Sequence, residues 1–163
     1  MVETASVVAP AADEDRVLVI TRLFQAPVRL VYKMWTEPEH IARWWGCSGS
    51  TVTRFTRDLR VGGDFFVEMH LSDGSLHRIT GVYREIEEAS RLCFTWGWLD
   101  DDGQRGYETL VTVTFAERGQ ATEVTLRHEL FDTTETRDLH GEGWGFSLDR
   151  LAVYLTEVEP SAR

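Results

Sequence analysis

The chain has 163 residues, with 27 acidic against 17 basic side chains and a formal net charge of −10. That length fits one domain, large enough to bury a core without covalent staples. The acidic balance excludes nucleic acid and anionic membrane as partners, since both need a basic face.

Residues 1–15 are rich in Ala and Val and then acidic. They lack the basic start and long apolar core of a signal peptide and read as a flexible tail. No apolar run reaches the length of a membrane span, so membrane insertion is not expected. Cys47 and Cys93 form no CxxC pattern and read as small buried hydrophobes. With no signal and no paired cysteines, a cytoplasmic location is the default expectation.

Residues 16–25 (RVLVITRLFQ) alternate as a strand, with Val17, Val19 and Thr21 on one side and Leu18, Ile20 and Arg22 on the other. Pro27 takes the first helical position, where its missing N–H is tolerated. Val28, Val31 and Trp35 line the buried side of that helix. Thr36-Glu37-Pro38-Glu39 has the capping-box pattern, so the helix breaks and restarts there. The second short helix carries Ile41, Trp44 and Trp45 and stops at Gly46.

From Thr51 the period changes to two, with strands near 51–57, 64–71, 76–86, 91–98, 107–117 and 121–129. Gly62-Gly63, Asp73-Gly74 and Gly119-Gln120 mark turns, and residues 99–106 a longer solvated loop. The short links predict an antiparallel meander. Residues 132–158 then form one long helix. Asp132-Thr133-Thr134-Glu135 resembles a capping box, and His140, Trp144, Leu148, Leu151 and Leu155 fall on one face. Pro160 cannot continue the helix, and 159–163 is a short tail. The expected architecture is α+β: a bent seven-stranded antiparallel sheet whose concavity the terminal helix fills, with two short helices after the first strand. If the helix fills it only partly, a cavity remains.

The residues also resemble a known family. Pro27 to Gly46 (PVRLVYKMWTEPEHIARWWG), Gly62-Gly63, Gly81 to Glu85, Arg91 to Trp98 (RLCFTWGW), Val111 to Glu117, Glu123 to Glu129 and Gly143 to Leu155 match it in order. The chain resembles the SRPBCC, or START-like, superfamily over about residues 16–158, in the branch named for the heat-shock protein 90 ATPase activator homologue. The double Trp before Gly, the RLxFTW strand and the GW-plus-leucine helix are specific in combination. The resemblance implies a helix-grip fold around an elongated hydrophobic cavity. It spans lipid carriers, polyketide cyclases, self-sacrificing resistance proteins and co-chaperone domains linked to stress response, so it leaves the function open. A Pro pair common in the family after the fourth strand is replaced here by Glu87-Glu88-Ala89-Ser90.

The candidate cavity residues are Trp35, Trp44, Trp45, Trp96, Trp98, His128, His140, Trp144 and Leu148, with Phe146 on the same elements. Aromatic residues in such number are first of all core. As a group they favour a pocket for a flat or greasy ligand. His128 is in phase with Val124 and Leu126, and His140 lies on the Trp144 stripe. Each is either a satisfied core imidazole, a donor that orients a ligand, or a general base. Glu68 and Glu108 become acid–base candidates only if they point inward, which a single bulge decides. No catalytic residue and no cofactor are assigned.

The five histidines show no metal-ligand spacing. His140-Gly141-Glu142 lacks the P-C-x-x-C of a deaminase. Gly141 to Phe146 lacks the third glycine of a dinucleotide fingerprint. Cys47 has no histidine near it in sequence to make it a nucleophile, and Gly46 to Ser50 is no nucleophile elbow. The leading reading is binding of a small hydrophobic or aromatic molecule. The alternatives are a co-chaperone or regulatory interaction domain and a cyclase- or hydrolase-like enzyme using a cavity histidine. Homodimerisation and a chaperone partner are both left open.

Overall fold

The computed structural model describes residues 15–158. Apart from Asp15, the two expected tails lie outside the described residues, as does Pro160. Strand β1 (Leu18–Phe24) is followed by helices α1 (Val28–Thr36) and α2 (Pro38–Trp44). Then come β2 (Ser50–Arg57), β3 (Asp64–Leu71), β4 (Leu76–Glu87), β5 (Arg91–Leu99), β6 (Arg105–Arg118) and β7 (Ala121–Glu129), and last helix α3 (Thr134–Glu157). The strands form one sheet in the order β1-β7-β6-β5-β4-β3-β2, every neighbour antiparallel. This is the antiparallel meander that the alternation and the short links predict, in the helix-grip arrangement that the resemblance implies.

Alternation decides which side chains enter the core. Phe65, Val67 and Met69 of β3, Ile79 and Tyr83 of β4, Leu92, Phe94 and Trp96 of β5, and Val111, Val113 and Phe115 of β6 all point inward and are buried. From β7, Val124, Leu126 and His128 join them. Helix α3 lays Trp144, Leu148, Leu151 and Leu155 across this face, none more than 4% exposed. Ser147 staples the helix to the loop after α2: its hydroxyl donates to Gly46 O (2.7 Å) and accepts from Gly46 N (3.0 Å).

Three local expectations are corrected. Pro27 is the N-cap of α1, with extended ψ of 151°, and not its first residue; Val28 is only half-buried, while Leu30 and Met34 share the buried side with Val31 and Trp35. Thr36 caps nothing: its hydroxyl donates back to Tyr32 O at 3.2 Å, and the cap of α2 is Glu37, without a side-chain bond. The break is made by Pro38, which forces Glu37 extended (φ −97°, ψ 125°). The cap of α3 is Thr133, whose hydroxyl accepts from Thr136 N at 3.0 Å. Thr136 therefore stands where a capping box would need Glu or Gln.

At Gly81 of β4 the neighbouring strands leave no room for a side chain. Gly81 pairs with Phe65, and a Cβ there would stand 1.9 Å from Thr95 O and 2.5 Å from the Phe65 ring. Backbone on one side and a core ring on the other leave the methyl no escape. Gly81→Ala is expected to destabilise by about 3 kcal/mol or more, or to prevent folding. Urea unfolding of the variant beside wild type measures this; a loss under about 1 kcal/mol would mean the strands can spread there.

Candidate ligand-binding cavity

His140 and Trp144 of α3 reach the inner face of the sheet, but around Gly143 and Ser147 helix and sheet stand apart. Between them lies a cavity of about 370 Å³. Its lining is Trp45, Gly46, Cys47, Met69, His77, Ile79, Trp96, Trp98, Leu139, His140, Gly143, Trp144 and Ser147. No Asp, Glu, Lys or Arg is among these residues. Leu139, 67% exposed, stands at its rim.

Of the nine expected cavity residues, Trp45, Trp96, Trp98, His140 and Trp144 border the space. Trp35, Trp44, His128 and Leu148 are packed behind that wall. Trp44 is fully buried, its indole donating to Met34 O at 2.9 Å. Trp35 borders a hollow of only about 10 Å³. Phe146 turns away and lies under Arg150 on the outer side of α3. The six tryptophans form one connected cluster. Trp45 stacks on Trp96 (5.5 Å, 19°) and Trp35 on Trp144 (5.8 Å, 27°), with Trp44 and Trp98 edge-on to these. Trp35 and Trp96 bury indole N–H groups that find no hydrogen-bond acceptor.

Sequence reasoning missed Met69, His77, Ile79 and Leu139 on the wall, and took Cys47 for a buried hydrophobe. Cys47 is half-buried at the cavity surface. The signal for Met69 and Ile79 was present, because they share the inward parity of Val67. His77 has it too, and its ring meets Trp98 edge-on at 5.7 Å.

Both expected histidines are fully engaged. The Trp144 indole donates to His128 Nδ1 at 3.1 Å. A neutral His128 therefore carries its proton on Nε2 and donates to Thr109 Oγ1 at 2.7 Å, and Thr109 donates on to Trp96 O at 3.3 Å. At His140, Nε2 accepts from the Trp98 indole (3.0 Å), so Nδ1 carries the proton and donates to Thr136 O (2.8 Å). Burial holds the His128 imidazole well below its ordinary pKa, and His140 beside it pushes the same way. Burial also lowers His140, outweighing the Thr136 carbonyl and Asp132.

Glu68 and Glu108 both point outward. Glu68 accepts from Arg78 (3.1 Å), which holds its carboxyl below the usual range. Glu108 is exposed beside Arg105 (3.1 Å). The register shift in β5–β6 falls before Glu108, and none falls within β3–β4. Among the described residues no group of His, Cys, Asp and Glu is placed to hold a metal ion, and no helix is long and apolar enough to cross a membrane.

Two imidazoles held neutral make stability depend on pH. Above the unfolded imidazole pKa of about 6.5 neither state is protonated there, and their contribution is whole. Below it the unfolded chain takes up protons that the folded chain refuses, so stability falls with pH. The urea midpoint is expected to drop from about pH 7 to about pH 5, and His128→Gln to lower it at neutral pH while flattening the slope. A wild-type midpoint flat over that range would show the imidazoles are not held neutral.

Comparison with known proteins places this geometry. A family model described as "Activator of Hsp90 ATPase homolog 1-like protein" matches residues 25–156. No curated protein matches the chain. Among solved structures, the AHSA1 protein of Silicibacter pomeroyi is 28% identical at a TM-score of 0.78, covering 86% of this chain and 97% of its own. A protein of Chromobacterium violaceum is 25% identical at 0.78, covering 88% and 99%. One from Nitrosomonas europaea is 25% identical at 0.76, covering 89% and 97%. The match runs through both short helices, strands β2 to β7 and nearly all of α3, and the chain belongs to the activator of Hsp90 ATPase homolog 1-like family.

Proposed function

We propose that the protein binds a small, flat, uncharged and largely apolar molecule in the cavity between α3 and the sheet. One observation carries this reading: about 370 Å³ of space walled by aromatic and aliphatic side chains, with no charged group on the lining. Ligand sites are commonly of this size and polarity. A charged ligand would give up its hydration without a counter-charge in return. His128 and His140 support the reading by having no nitrogen left for a ligand. The polar groups at hand are the Cys47 thiol, the Ser147 hydroxyl and the His77 ring, and Ser147 is spent on Gly46. The His77 imidazole makes no hydrogen bond among the described residues, and it offers a ligand one polar contact.

A cyclase- or hydrolase-like reaction would need an acid and a base converging on the cavity. With His128 and His140 engaged and Glu68 and Glu108 outside, that reading loses the histidine and carboxylate it would have used. The co-chaperone reading draws on the family description. Against it, the exposed large apolar residues lie on separate elements: Val19 and Leu23 on β1, Tyr107 on β6, Val153 on α3. Such scatter is ordinary surface. Stimulation of an Hsp90 ATPase by the purified chain would revive it. Pairing of two copies through an exposed strand edge or the short helices is a separate expectation, read by the elution volume of the purified chain.

Tryptophan fluorescence tests the binding reading, since four of the six indoles border the site. N-phenylnaphthylamine is expected to quench with a saturable curve. His77→Trp, which adds a ring to the cavity wall, is expected to weaken it by about tenfold or more. His77→Leu is expected to retain it. Non-saturable quenching that is equal in all three proteins would defeat the proposal.

A further inference from the structure

Helix α3 carries Gly141, Gly143 and Gly145 in its first half. A helix interior disfavours glycine, through backbone entropy and the exposed peptide. Gly141 has a packing reason. A Cβ there would stand 3.3 Å from Leu18 Cδ1 of β1, tighter than ordinary contact. Gly143 has none of this kind. A Cβ there would meet nothing nearer than Cys47 Cβ at 3.9 Å, an ordinary contact distance. Yet Gly143 borders the cavity, between His140 one turn before it and Ser147 one turn after it.

The wall opposite is fixed. Ser147 holds Gly46 by a donated and an accepted hydrogen bond, and Gly46 itself sits at φ +121°. Cys47 follows directly. The helix and this loop therefore keep their spacing, and a side chain at position 143 would take its volume from the cavity alone. Lower on the same helix the situation reverses: Leu148, Leu151 and Leu155 are buried against the sheet and border no part of the cavity.

We infer that Gly143 sets the size limit of the ligand. The bare helix backbone at this position is the floor against which a flat ring lies, and the absent side chain is part of the site. This rests on the cavity-binding reading above and deepens it: the ligand is one whose ring system needs the space a methyl group would occupy. The helix gives up local stability at Gly143 to keep that space.

Two alanine variants test the inference. Gly145 does not border the cavity and a Cβ there meets nothing within 4 Å, so Gly145→Ala is the control on the same helix. Both variants are expected to raise Tm by about 1–3 °C, through helix propensity alone. Gly143→Ala is expected to bind N-phenylnaphthylamine about tenfold more weakly than wild type while binding the smaller naphthol within about twofold. Gly145→Ala is expected to bind both as wild type does. Wild-type binding with Gly143→Ala unchanged for the larger probe would overturn the inference and leave the binding reading standing. A lowered Tm for Gly143→Ala alone would overturn it by revealing a packing reason for the glycine. No binding of either probe to wild type would overturn both.

Discussion

The hydrogen bond from the Trp144 indole to His128 is the constraint on which the rest of the molecule depends. Its donor is on α3 and its acceptor on β7. The chain of donors continues from His128 to Thr109 of β6 and from Thr109 to the Trp96 carbonyl of β5. His128 and Thr109 each accept one bond and donate one, so both imidazole nitrogens and the hydroxyl are paired. A buried network in that condition fixes one arrangement; with a member removed it leaves a buried group unpaired. The Trp144 ring also stacks on Trp35 of α1 and meets Trp45 edge-on. Helix, sheet and the two short helices thus take their relative positions from one side chain.

The position of the cavity follows from how the face of α3 changes along its length. Its second half presents leucines, which are flexible enough to interdigitate with the sheet and leave no space. Before them, beside the His140 and Trp144 side chains that do reach the sheet, Gly143 and Ser147 are too short to fill the space. The walls there are indoles, stacked and edge-on, too rigid to collapse into the gap. The space is largely apolar because its lining carries no charged side chain and its His140, Trp98 and Ser147 polar atoms are already hydrogen-bonded. That is a physical reason for an uncharged ligand, independent of the family to which the chain belongs.

The candidate site was legible in outline. Residue types and periodicity pointed to aromatic side chains on elements that converge. They did not separate Trp45, Trp96 and Trp98, which border the space, from Trp35, Trp44 and His128, which stand behind it. All face inward, and inward is what periodicity reports. Met69, His77 and Ile79 were missed for the same reason, since locally they look like any strand core. Glu68 and Glu108 were left undecided because one bulge reverses a strand's parity. The caps were misplaced by a single residue, where Thr and Asp neighbours offer similar oxygens and only the helix path chooses between them.

The sequence by itself determined the elements, their order, the antiparallel sheet and the burial of the α3 stripe. Alternation and the helical repeat are properties of single segments against a layer of solvent and a layer of core. Only the tertiary structure decided where the core stops and the cavity begins, and that both histidines have no nitrogen to spare. Those facts belong to pairs of elements: Trp144 with His128, Trp98 with His140, Ser147 with Gly46, the last pair 101 residues apart. A void or a hydrogen bond across such distances depends on how segments are placed against each other, and no local pattern carries that placement.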